Sequence, residues 1–474
     1  MSDNKQAIQH RRMTTAPVPG LVIRLGIPTT ISMLITSIYN MADTFFVSQL
    51  GTSASGAVGV VFSLMAIFQA VGFTLGMGSG SLVSRRLGEK NAQAANTYAA
   101  GAFYASLAFG ILILLLGSVF IRPLMRLLGA TDTILPYAVG YGRYIIFGAP
   151  VICASFVLNN ILRAEGKSAL AMVGLCTGGV LNLALDPLLI FKANMGTSGA
   201  AVATLISQCV SFTLLLFMFL SHRSLTSLHP RYLSLNLRIY ADIVRNGLPS
   251  FCRQGLASIS TVLLNRQAAA VGAAEGMARF GDAAAAAAFG DAAVASMSIV
   301  SKVFMFMLCV ALGVGQGFMP VAGYNYGAKE YDRVRKAYRF TVLLSFVLMS
   351  GLSAAIFLLA PQIVAQFRDD PAVIEIGTTA MRMQCVAMPL QTLIVPTNML
   401  HQALGKSWTS TFLSACRQGI YFIPLIVLLP ALIGLTGVEV AQSAADTLTF
   451  LTSIPFAIRF FRRLPHTGEN ACEE

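Results

Sequence analysis

The stretch GMGSGSLVSRRLGEKN at residues 76–91 decides the fold, because a related stretch, GQGFMPVAGYNYGAKE, occupies residues 315–330. Their first two glycines, a later glycine and a lysine match at one constant offset. Further pairs keep this offset: Gly51 with Gly290, Pro150 with Pro389, Asn159 with Asn398, and Gly166-Lys167-Ser168 with Gly405-Lys406-Ser407. A register held over so many positions indicates that the chain consists of two homologous halves.

Composition places both halves in a membrane. Hydrophobic residues make up 55% of the 474 residues and charged residues 11%, and the mean hydropathy is +0.70. A soluble domain carries roughly 25% charged residues. The chain therefore belongs in a bilayer, and repeated halves within a hydrophobic chain are typical of transporters.

We predict an all-α integral membrane protein whose twelve transmembrane helices form two six-helix bundles, related by a pseudo-twofold axis along the membrane normal. Each apolar stretch has about 20 residues, which as a helix crosses ~30 Å of hydrocarbon. The stretches cover residues 21–47, 55–82, 96–120, 135–158, 169–191, 199–220, 243–271, 288–318, 337–359, 374–399, 408–430 and 436–458.

The distribution of lysine and arginine predicts the orientation. Basic segments such as Lys5–Arg12, Arg223–Arg245 and Arg459–Arg463 share one side of the membrane, and positive segments favour the cytoplasmic side. The net charge of +13 then reflects topology and contact with anionic lipid, and we expect no nucleic acid partner. We expect a monomeric, multi-pass protein of a bacterial inner membrane, with both termini in the cytoplasm.

The predicted domains are a cytoplasmic N-terminal tail at 1–20, a six-helix bundle at 21–221, a cytoplasmic linker at 222–245, a second bundle at 246–460 and a cytoplasmic tail at 461–474. The second half also contains an additional run, Gly272–Gly290, with six consecutive alanines and a repeated Phe-Gly-Asp-Ala-Ala unit that ends just beyond it. We interpret this run as a tandem duplication that lengthens helices seven and eight.

Two acidic residues stand inside the apolar spans of the first half. Asp43 follows Tyr39 by four residues and Asn40 by three. Asp186 follows Asn182 by four residues, so each carboxylate shares a helix face with polar groups. A carboxylate inside the hydrocarbon costs roughly 3 kcal/mol or more and needs a partner, a cation or a proton. We therefore predict a site for a coupling ion, H⁺ or Na⁺, and no further cofactor or metal.

The second half lacks these carboxylates. The equivalents of Asp43 and Asp186 are Leu264 and Leu425, and the equivalent of Asn182 is Tyr421, so we expect the acidic groups to belong to the first bundle alone. The second bundle instead has a basic and polar interior. Weaker candidates for the substrate path, drawn from both bundles, are Asn40, Arg253, Gln254, Lys302 and Arg417.

A set of motifs extends over nearly the whole chain. It consists of Tyr39-Asn40-x-x-Asp43-x-Phe45, Pro150 followed by Asn159 and Gly166-Lys167-Ser168, Asn182-x-x-x-Asp186-Pro187, Gly199-Ala200-Ala201-x-Ala203-Thr204, and Pro320-x-x-x-Tyr324-Asn325-Tyr326-Gly327-Ala328-Lys329. Together these motifs resemble the MATE (multidrug and toxic compound extrusion) transporters, and their pattern is similar to the DinF-like branch.

The resemblance implies a twelve-helix antiporter that exports small organic compounds, cationic or amphipathic, in exchange for H⁺ or Na⁺. It also implies a cation site lined by Asp43, Asn182, Asp186, Asn159 and Thr204, with Tyr39 adjoining. The NorM-like branch carries a further acidic residue in helix seven, where this chain has Ala257 and Ser258. The resemblance therefore gives no support for a second acidic site there.

Three alternative functions are weighed against this one. A lipid-linked precursor flippase of the same superfamily shares the architecture, but we expect fourteen helices and a more cationic cavity for it. A membrane-embedded enzyme requires a hydrolytic or metal constellation, whereas the five histidines are isolated and neither His-Glu-x-x-His nor Gly-x-Ser-x-Gly occurs. An ATP-driven pump requires a phosphate-binding loop, and both Gly-Lys-Ser triplets lack its preceding glycine.

Overall fold

The computed structural model describes residues 2–465, which contain helices, turns and loops and no β-strand. Residues 466–474 of the predicted C-terminal tail lie outside the described residues. The α-helices are α1 Ser2–Thr15, α2 Val18–Ser48, α3 Thr52–Gly88, α4 Ala92–Val119, α5 Ile121–Leu127, α6 Leu135–Ala164, α7 Ser168–Pro187, α8 Thr197–Leu220, α9 Leu237–Phe280, α10 Ala283–Gly327, α11 Tyr331–Phe367, α12 Pro371–Ala387, α13 Gln391–Ala403, α14 Ser407–Ala415, α15 Phe422–Ile433 and α16 Leu435–Arg463.

Nine helical segments of the described chain are long and apolar enough to cross a membrane. They are Val18–Val47, Gly56–Gly88, Ala92–Val119, Leu135–Ala164, Ser168–Lys192, Thr197–Leu220, Ala283–Gly327, Tyr331–Phe367 and Ser407–Ile433. The other three predicted spans coincide with α9, with α12 and α13 together, and with α16. Helices α12 and α13 have only 17 and 13 residues, and a 3-10 turn separates them. Helices α9 and α16 contain charged side chains such as Arg253 and Asp446, which lower their hydropathy.

Two π-helical turns interrupt the helices, and both lie at residues that the sequence analysis singled out. One spans Leu188–Lys192, directly after Asp186 and Pro187, and the other spans Cys416–Ile420 and contains Arg417. Proline removes a backbone donor, which accounts for the first interruption. Because π-helical turns are frequent at functional sites, both positions draw attention to the side chains around them.

The chain divides into two compact units. The N-terminal unit comprises residues 2–251, 316–334 and 402–407, and the C-terminal unit comprises residues 252–315, 335–401 and 408–465. In the N-terminal unit, buried side chains such as Val61, Phe68 and Ile145 form the core among α3, α6 and α8. In the C-terminal unit, the core contains buried side chains from helices α9 to α13, α15 and α16, among them Met297 on α10 and Ile426 on α15.

Two segments that were predicted as polar tail and linker contain helical residues in the structure. The segment at 1–20 contains α1, and α9 begins at Leu237, within the predicted linker 222–245. The Asn236 side chain accepts a hydrogen bond from the Arg238 backbone N–H at 3.0 Å and so caps α9. The Gly272–Gly290 run extends α9 to Phe280 and begins α10 at Ala283, so the predicted lengthening is confirmed.

The repeated glycines make reciprocal helix contacts within the N-terminal unit. A Cβ atom on Gly88 would lie 2.2 Å from the Tyr324 carbonyl oxygen, and one on Gly327 would lie 2.2 Å from the Arg85 carbonyl oxygen. Gly88 and Gly327 occupy equivalent positions of the repeat, as do Arg85 and Tyr324. The contact is therefore made twice, once in each direction, and only glycine permits backbones to approach so closely.

We expect Gly88→Ala to lower the free energy of unfolding by on the order of 1–3 kcal/mol, because the new methyl group would overlap backbone atoms that cannot rotate away. Thermal unfolding of the purified protein in detergent measures the change. Gly351→Ala in α11 is the matched control, since its Cβ would meet no described atom within 4 Å. Equal melting temperatures for the two variants would show that the close contact is not required.

The Glu165 carboxylate holds the linker against the end of α6. It accepts hydrogen bonds from Ser224 Oγ at 2.6 Å, from the Leu225 backbone N–H at 2.8 Å, and from the Thr226 backbone N–H at 2.9 Å. Helix α1 joins this cluster, because Gln9 Nε2 donates to the Glu165 carbonyl oxygen at 3.1 Å. The whole of Glu165 is buried, so these donors satisfy a charge that water does not reach.

Replacing Glu165 with alanine is expected to cost about 3 kcal/mol of stability, because two buried backbone N–H groups lose their acceptor. Chemical unfolding in detergent measures the loss. Glu89→Ala serves as the control: Glu89 pairs with Arg86 at 2.7 Å, but their side chains are 40% and 39% exposed. Such surface pairs contribute about 0–1 kcal/mol. A loss at Glu165 no larger than at Glu89 would contradict this account of the linker.

Candidate ion-coupling site

Asp43 lies on α2 and is half-buried. Its Oδ2 accepts a hydrogen bond from the Tyr141 hydroxyl of α6 at 3.4 Å. Its Oδ1 is buried and has no hydrogen-bond partner among the described residues. The carboxylate therefore has one weak donor and one open acceptor position.

Asp186 is fully buried in the last turn of α7. Its Oδ1 accepts a hydrogen bond from Asn182 Nδ2 at 3.1 Å, and the same amide nitrogen reaches Thr204 Oγ1 of α8 at 3.4 Å. Within residues 2–465, Asp186 Oδ2 and Asn182 Oδ1 have no donor. The spacing of four residues along α7 brings the amide and the carboxylate together, as the sequence indicated.

Tyr141 connects the two carboxylates. Its hydroxyl group interacts with Asp43 and also with Thr204. A continuous chain of polar contacts thus runs from Asp43 through Tyr141, Thr204 and Asn182 to Asp186, across helices α2, α6, α8 and α7. Asp43 and Asp186 also interact electrostatically. Helix α6, the most buried of the apolar spans, holds the tyrosine ring at 1% exposure.

Sequence analysis missed Tyr141, although a signal for it was present. The equivalent position in the second half is Ala380. This is the same difference between the halves that singled out Asp43 and Asp186. A comparison extended to hydroxyl groups would have found it.

A small polar cavity adjoins this chain of contacts. It contains about 270 Å³ of empty space, part of it open to solvent. Tyr39 lies on its wall beside Asn182 and Thr204. The full lining consists of Tyr39, Leu175, Gly178, Gly179, Asn182, Thr204, Ser207, Gln208 and Ser211. In the described part of the chain no group of three or more His, Cys, Asp or Glu side chains is placed to hold a metal ion.

The structure does not bring Asn159 and Asn40 into this cluster. Asn159 Nδ2 donates to the Ala171 carbonyl oxygen at 2.8 Å. Ala171 lies three helical turns before Asn182, about 16 Å along α7. Asn40 is half-buried, and its carbonyl oxygen accepts from Thr44 Oγ1 at 2.9 Å. Both asparagines therefore act on other parts of the N-terminal unit in this conformation.

The C-terminal unit corrects the expectation that acidic groups belong to the first bundle alone. Asp446 is fully buried and Glu439 is 7% exposed, both on α16. Arg417 Nε donates to Asp446 Oδ1 at 2.9 Å in a buried ion pair. The expectation was wrong because only positions equivalent to Asp43 and Asp186 were compared. Gln442, four residues before Asp446, repeats the amide–carboxylate spacing of α7 and could have revealed it.

The other predicted substrate-path residues differ in exposure. Arg253 and Gln254 are half-buried on α9, and Lys302 is exposed on α10. Arg253 and Arg417 line the same cavity in the C-terminal unit, whereas Gln254 and Lys302 are not among its lining residues.

Comparison with known proteins assigns the chain to a family. The profile of the MatE family matches residues 28–188 and 271–428, one match in each half of the chain. The chain belongs to the MatE family. The double match agrees with the repeat, and membership confirms the predicted fold of twelve transmembrane helices and the prediction of a transporter rather than an enzyme.

Several relatives are similar to this chain over almost its whole length. The multidrug export protein MepA of Staphylococcus aureus (strain MRSA252) is 25% identical over 441 residues, which are 93% of each chain. MepA of Staphylococcus saprophyticus is 24% identical over 435 residues, 91% of this chain and 92% of its own. A solved outward-facing conformation of a multidrug resistance MATE transporter of the MOP superfamily is 27% identical, with a TM-score of 0.87, and covers 95% of this chain and 98% of its own. The finer DinF-like assignment stays a prediction.

We expect Tyr141→Phe to lower the free energy of unfolding by about 1 kcal/mol, because Asp43 loses its donor while the ring stays packed. Unfolding in mixed detergent and SDS micelles measures the change. Tyr137→Phe is the control, since Tyr137 lies one turn earlier on α6 and is 47% exposed. The same small change in both variants would contradict the hydrogen-bond chain.

Proposed function

We propose that this protein is a secondary active antiporter that exports organic compounds, cationic or amphipathic, across a bacterial inner membrane in exchange for H⁺ or Na⁺. Membership of the MatE family supports the transport of small molecules. The relatives named as multidrug export proteins support a broad range of substrates. The coupling ion, the cytoplasmic position of both termini and the monomeric state belong to the same proposal.

One observation carries the proposal: two carboxylates lie on one chain of polar contacts inside the membrane without a basic partner. Within residues 2–465 the ion pairs involve neither Asp43 nor Asp186. A buried carboxylate without a counter-charge is costly, so a proton or a bound cation stabilises the site. Three buried acceptor oxygens, on Asp43, Asp186 and Asn182, have no donor within residues 2–465 and are available to such an ion.

The geometry accommodates either ion. A proton on one carboxylate could be shared along the hydroxyl groups of Tyr141 and Thr204, which join the two acids. A sodium ion would take the open oxygens of Asp43, Asp186 and Asn182, because Na⁺ is a hard cation that prefers oxygen ligands. Either ion neutralises the pair, and both alternatives are kept for the experiment to separate.

Transport follows if ion and substrate stabilise different conformations of the protein. An ion that binds better to one conformation than to the other shifts the balance between them, and the substrate does the reverse. The helices that carry the two acids have sites for bending. Pro28 interrupts the hydrogen bonding of α2, and the π-helical turn follows Asp186. Neutralisation at Asp43 and Asp186 can therefore be transmitted to the helix backbone.

The test is efflux of ethidium from proteoliposomes under a pH gradient or a Na⁺ gradient, imposed separately. We expect Asp43→Asn and Asp186→Asn to reduce gradient-driven efflux by at least about tenfold, because the amide neither binds nor releases the coupling ion. The gradient that drives the wild type identifies the ion.

Asp132→Asn is the matched control for this experiment. Asp132 belongs to the same unit, but its side chain is 92% exposed and pairs with Arg126 at 3.1 Å on the surface. We expect wild-type efflux from it. Gradient-driven efflux that persists in both Asp43→Asn and Asp186→Asn would contradict the proposed coupling site.

A further inference from the structure

The C-terminal unit contains a second cavity, larger than the one beside Asp186. It has about 450 Å³ of empty space, part of it open to solvent. The apolar part of its lining, called here the apolar wall, includes Leu308, Ile394 and Met399. The polar part, called here the polar wall, consists of Arg253, Gln391, Asn398, Ser414, Arg417 and Gln418. The cavity thus offers both hydrogen-bonding and hydrophobic groups, as binding sites for small molecules do.

The polar wall has more hydrogen-bonding groups than the protein satisfies. Gln391 is 0% exposed, yet neither its Nε2 nor its Oε1 has a partner among the described residues. Asn398 Oδ1 and Arg417 Nη2 are likewise buried and without a partner within residues 2–465. Buried polar groups are almost always paired, and each unpaired group costs about 1–3 kcal/mol. Several such groups on one wall indicate a ligand that pairs with them.

Arg417 is held in a fixed orientation toward this cavity. Its Nε is bonded to Asp446, which also accepts from Gln384 Nε2 at 3.3 Å and from Gln442 Nε2 at 3.0 Å. Asp446 itself is not among the residues that line the cavity. The guanidinium carbon stands 5.2 Å from the centre of the Phe304 ring. Asp446 and Phe304 therefore orient Arg417, and its Nη2 is left open.

The charges at the polar wall favour an anion. Arg253 and Arg417 both line the cavity, whereas Asp446, the carboxylate that pairs with Arg417, is not among the lining residues. The charged groups that line the cavity are therefore both basic. Arginine presents donors in a planar fork that matches a carboxylate group, and the amide nitrogen of Gln391 adds a neutral donor.

We propose that this cavity binds the carboxylate group of an organic anion or zwitterion, with Arg417 and Gln391 as the donors and the apolar wall against the organic body. As a statement about exported substrates this rests on the proposed efflux function, whereas binding itself does not. The site would give exported molecules that carry an acid group a binding position in the C-terminal unit. It is separate from the ion-coupling cluster, since all of its residues lie in the C-terminal unit.

The binding test uses the purified full-length protein in nanodiscs with no ion gradient, titrated with sodium benzoate by calorimetry. Benzamide, which has the same shape and no charge, serves as the control ligand. We expect benzoate to bind at least about tenfold more tightly than benzamide, because only the carboxylate gains a charge-assisted hydrogen bond. Equal affinities, or no binding of either compound, would overturn the proposal.

Chloride distinguishes an organic carboxylate from a simple anion. The titration is repeated in sodium gluconate and in sodium chloride of equal concentration. We expect benzoate affinity to change less than twofold between the two salts, because the apolar wall contributes to binding only for the organic ion. Loss of benzoate binding in chloride would mean that the cavity holds a halide and would contradict the assignment of a carboxylate site.

Gln391→Leu is the first variant, because it removes two unpaired polar atoms at nearly constant volume. We expect its melting temperature without ligand to be equal to or higher than that of the wild type. Benzoate affinity should fall about tenfold. Unchanged affinity in a folded Gln391→Leu variant would contradict the role of this residue.

Arg417→Gln combined with Asp446→Asn is the second variant, and it removes both buried charges while it keeps the amide hydrogen bonds. We expect no measurable benzoate binding. Arg382→Gln is the charge control, since Arg382 is exposed on α12 and is not among the lining residues. Binding of benzoate is measured without an ion gradient, so a negative result here would not contradict the coupling site at Asp43 and Asp186. Equally, a negative result in the efflux experiment with Asp43→Asn would not contradict the carboxylate site.

Discussion

The cost of placing a carboxylate inside a membrane is the constraint on which the N-terminal unit depends. Asp43 and Asp186 have no basic partner within residues 2–465, so neutral groups from neighbouring helices must support them. Tyr141, Thr204 and Asn182 come from three different helices, which must be packed accurately for their polar atoms to meet. The arrangement still leaves acceptor oxygens open. A site that is incomplete without a cation or a proton is suited to ion coupling.

The scaffold is symmetric, whereas its chemistry is not. Equivalent glycines of the two repeats, Gly88 and Gly327, make the same close backbone contact in both directions. Gly78 and Gly317 repeat this behaviour against Gly247 and Gly26. The charged groups differ between the units: in the N-terminal unit Asp43 and Asp186 lie on one chain of polar contacts without an ion pair, whereas the C-terminal unit buries an Arg–Asp pair beside a polar cavity. Duplication supplied the packing, and the two units then diverged at their polar sites.

Much of this was predictable from the sequence. The constant register of the repeat and the apolar spans predicted the helical bundles, and the spacing of Asn182 and Asp186 predicted that they share a helix face, where they form a hydrogen bond. Spacing within one helix cannot show which residues of other helices meet, so Tyr141 was missed. The pairing of Arg417 with Asp446, 29 residues apart, and the open amide of Gln391 also depend on tertiary packing. Hydropathy also cannot locate the start of a helix whose first turns are polar, as those of α9 are.

Direct detection of ion displacement tests the central claim most closely. Purified protein in weakly buffered detergent solution is mixed with ethidium at constant pH, while released protons are counted with a pH indicator and released Na⁺ with an ion-selective electrode. The account predicts that substrate displaces one of these ions from the wild type and that a variant with both Asp43→Asn and Asp186→Asn releases neither, although it still binds ethidium. Equal ion release from that variant would contradict it.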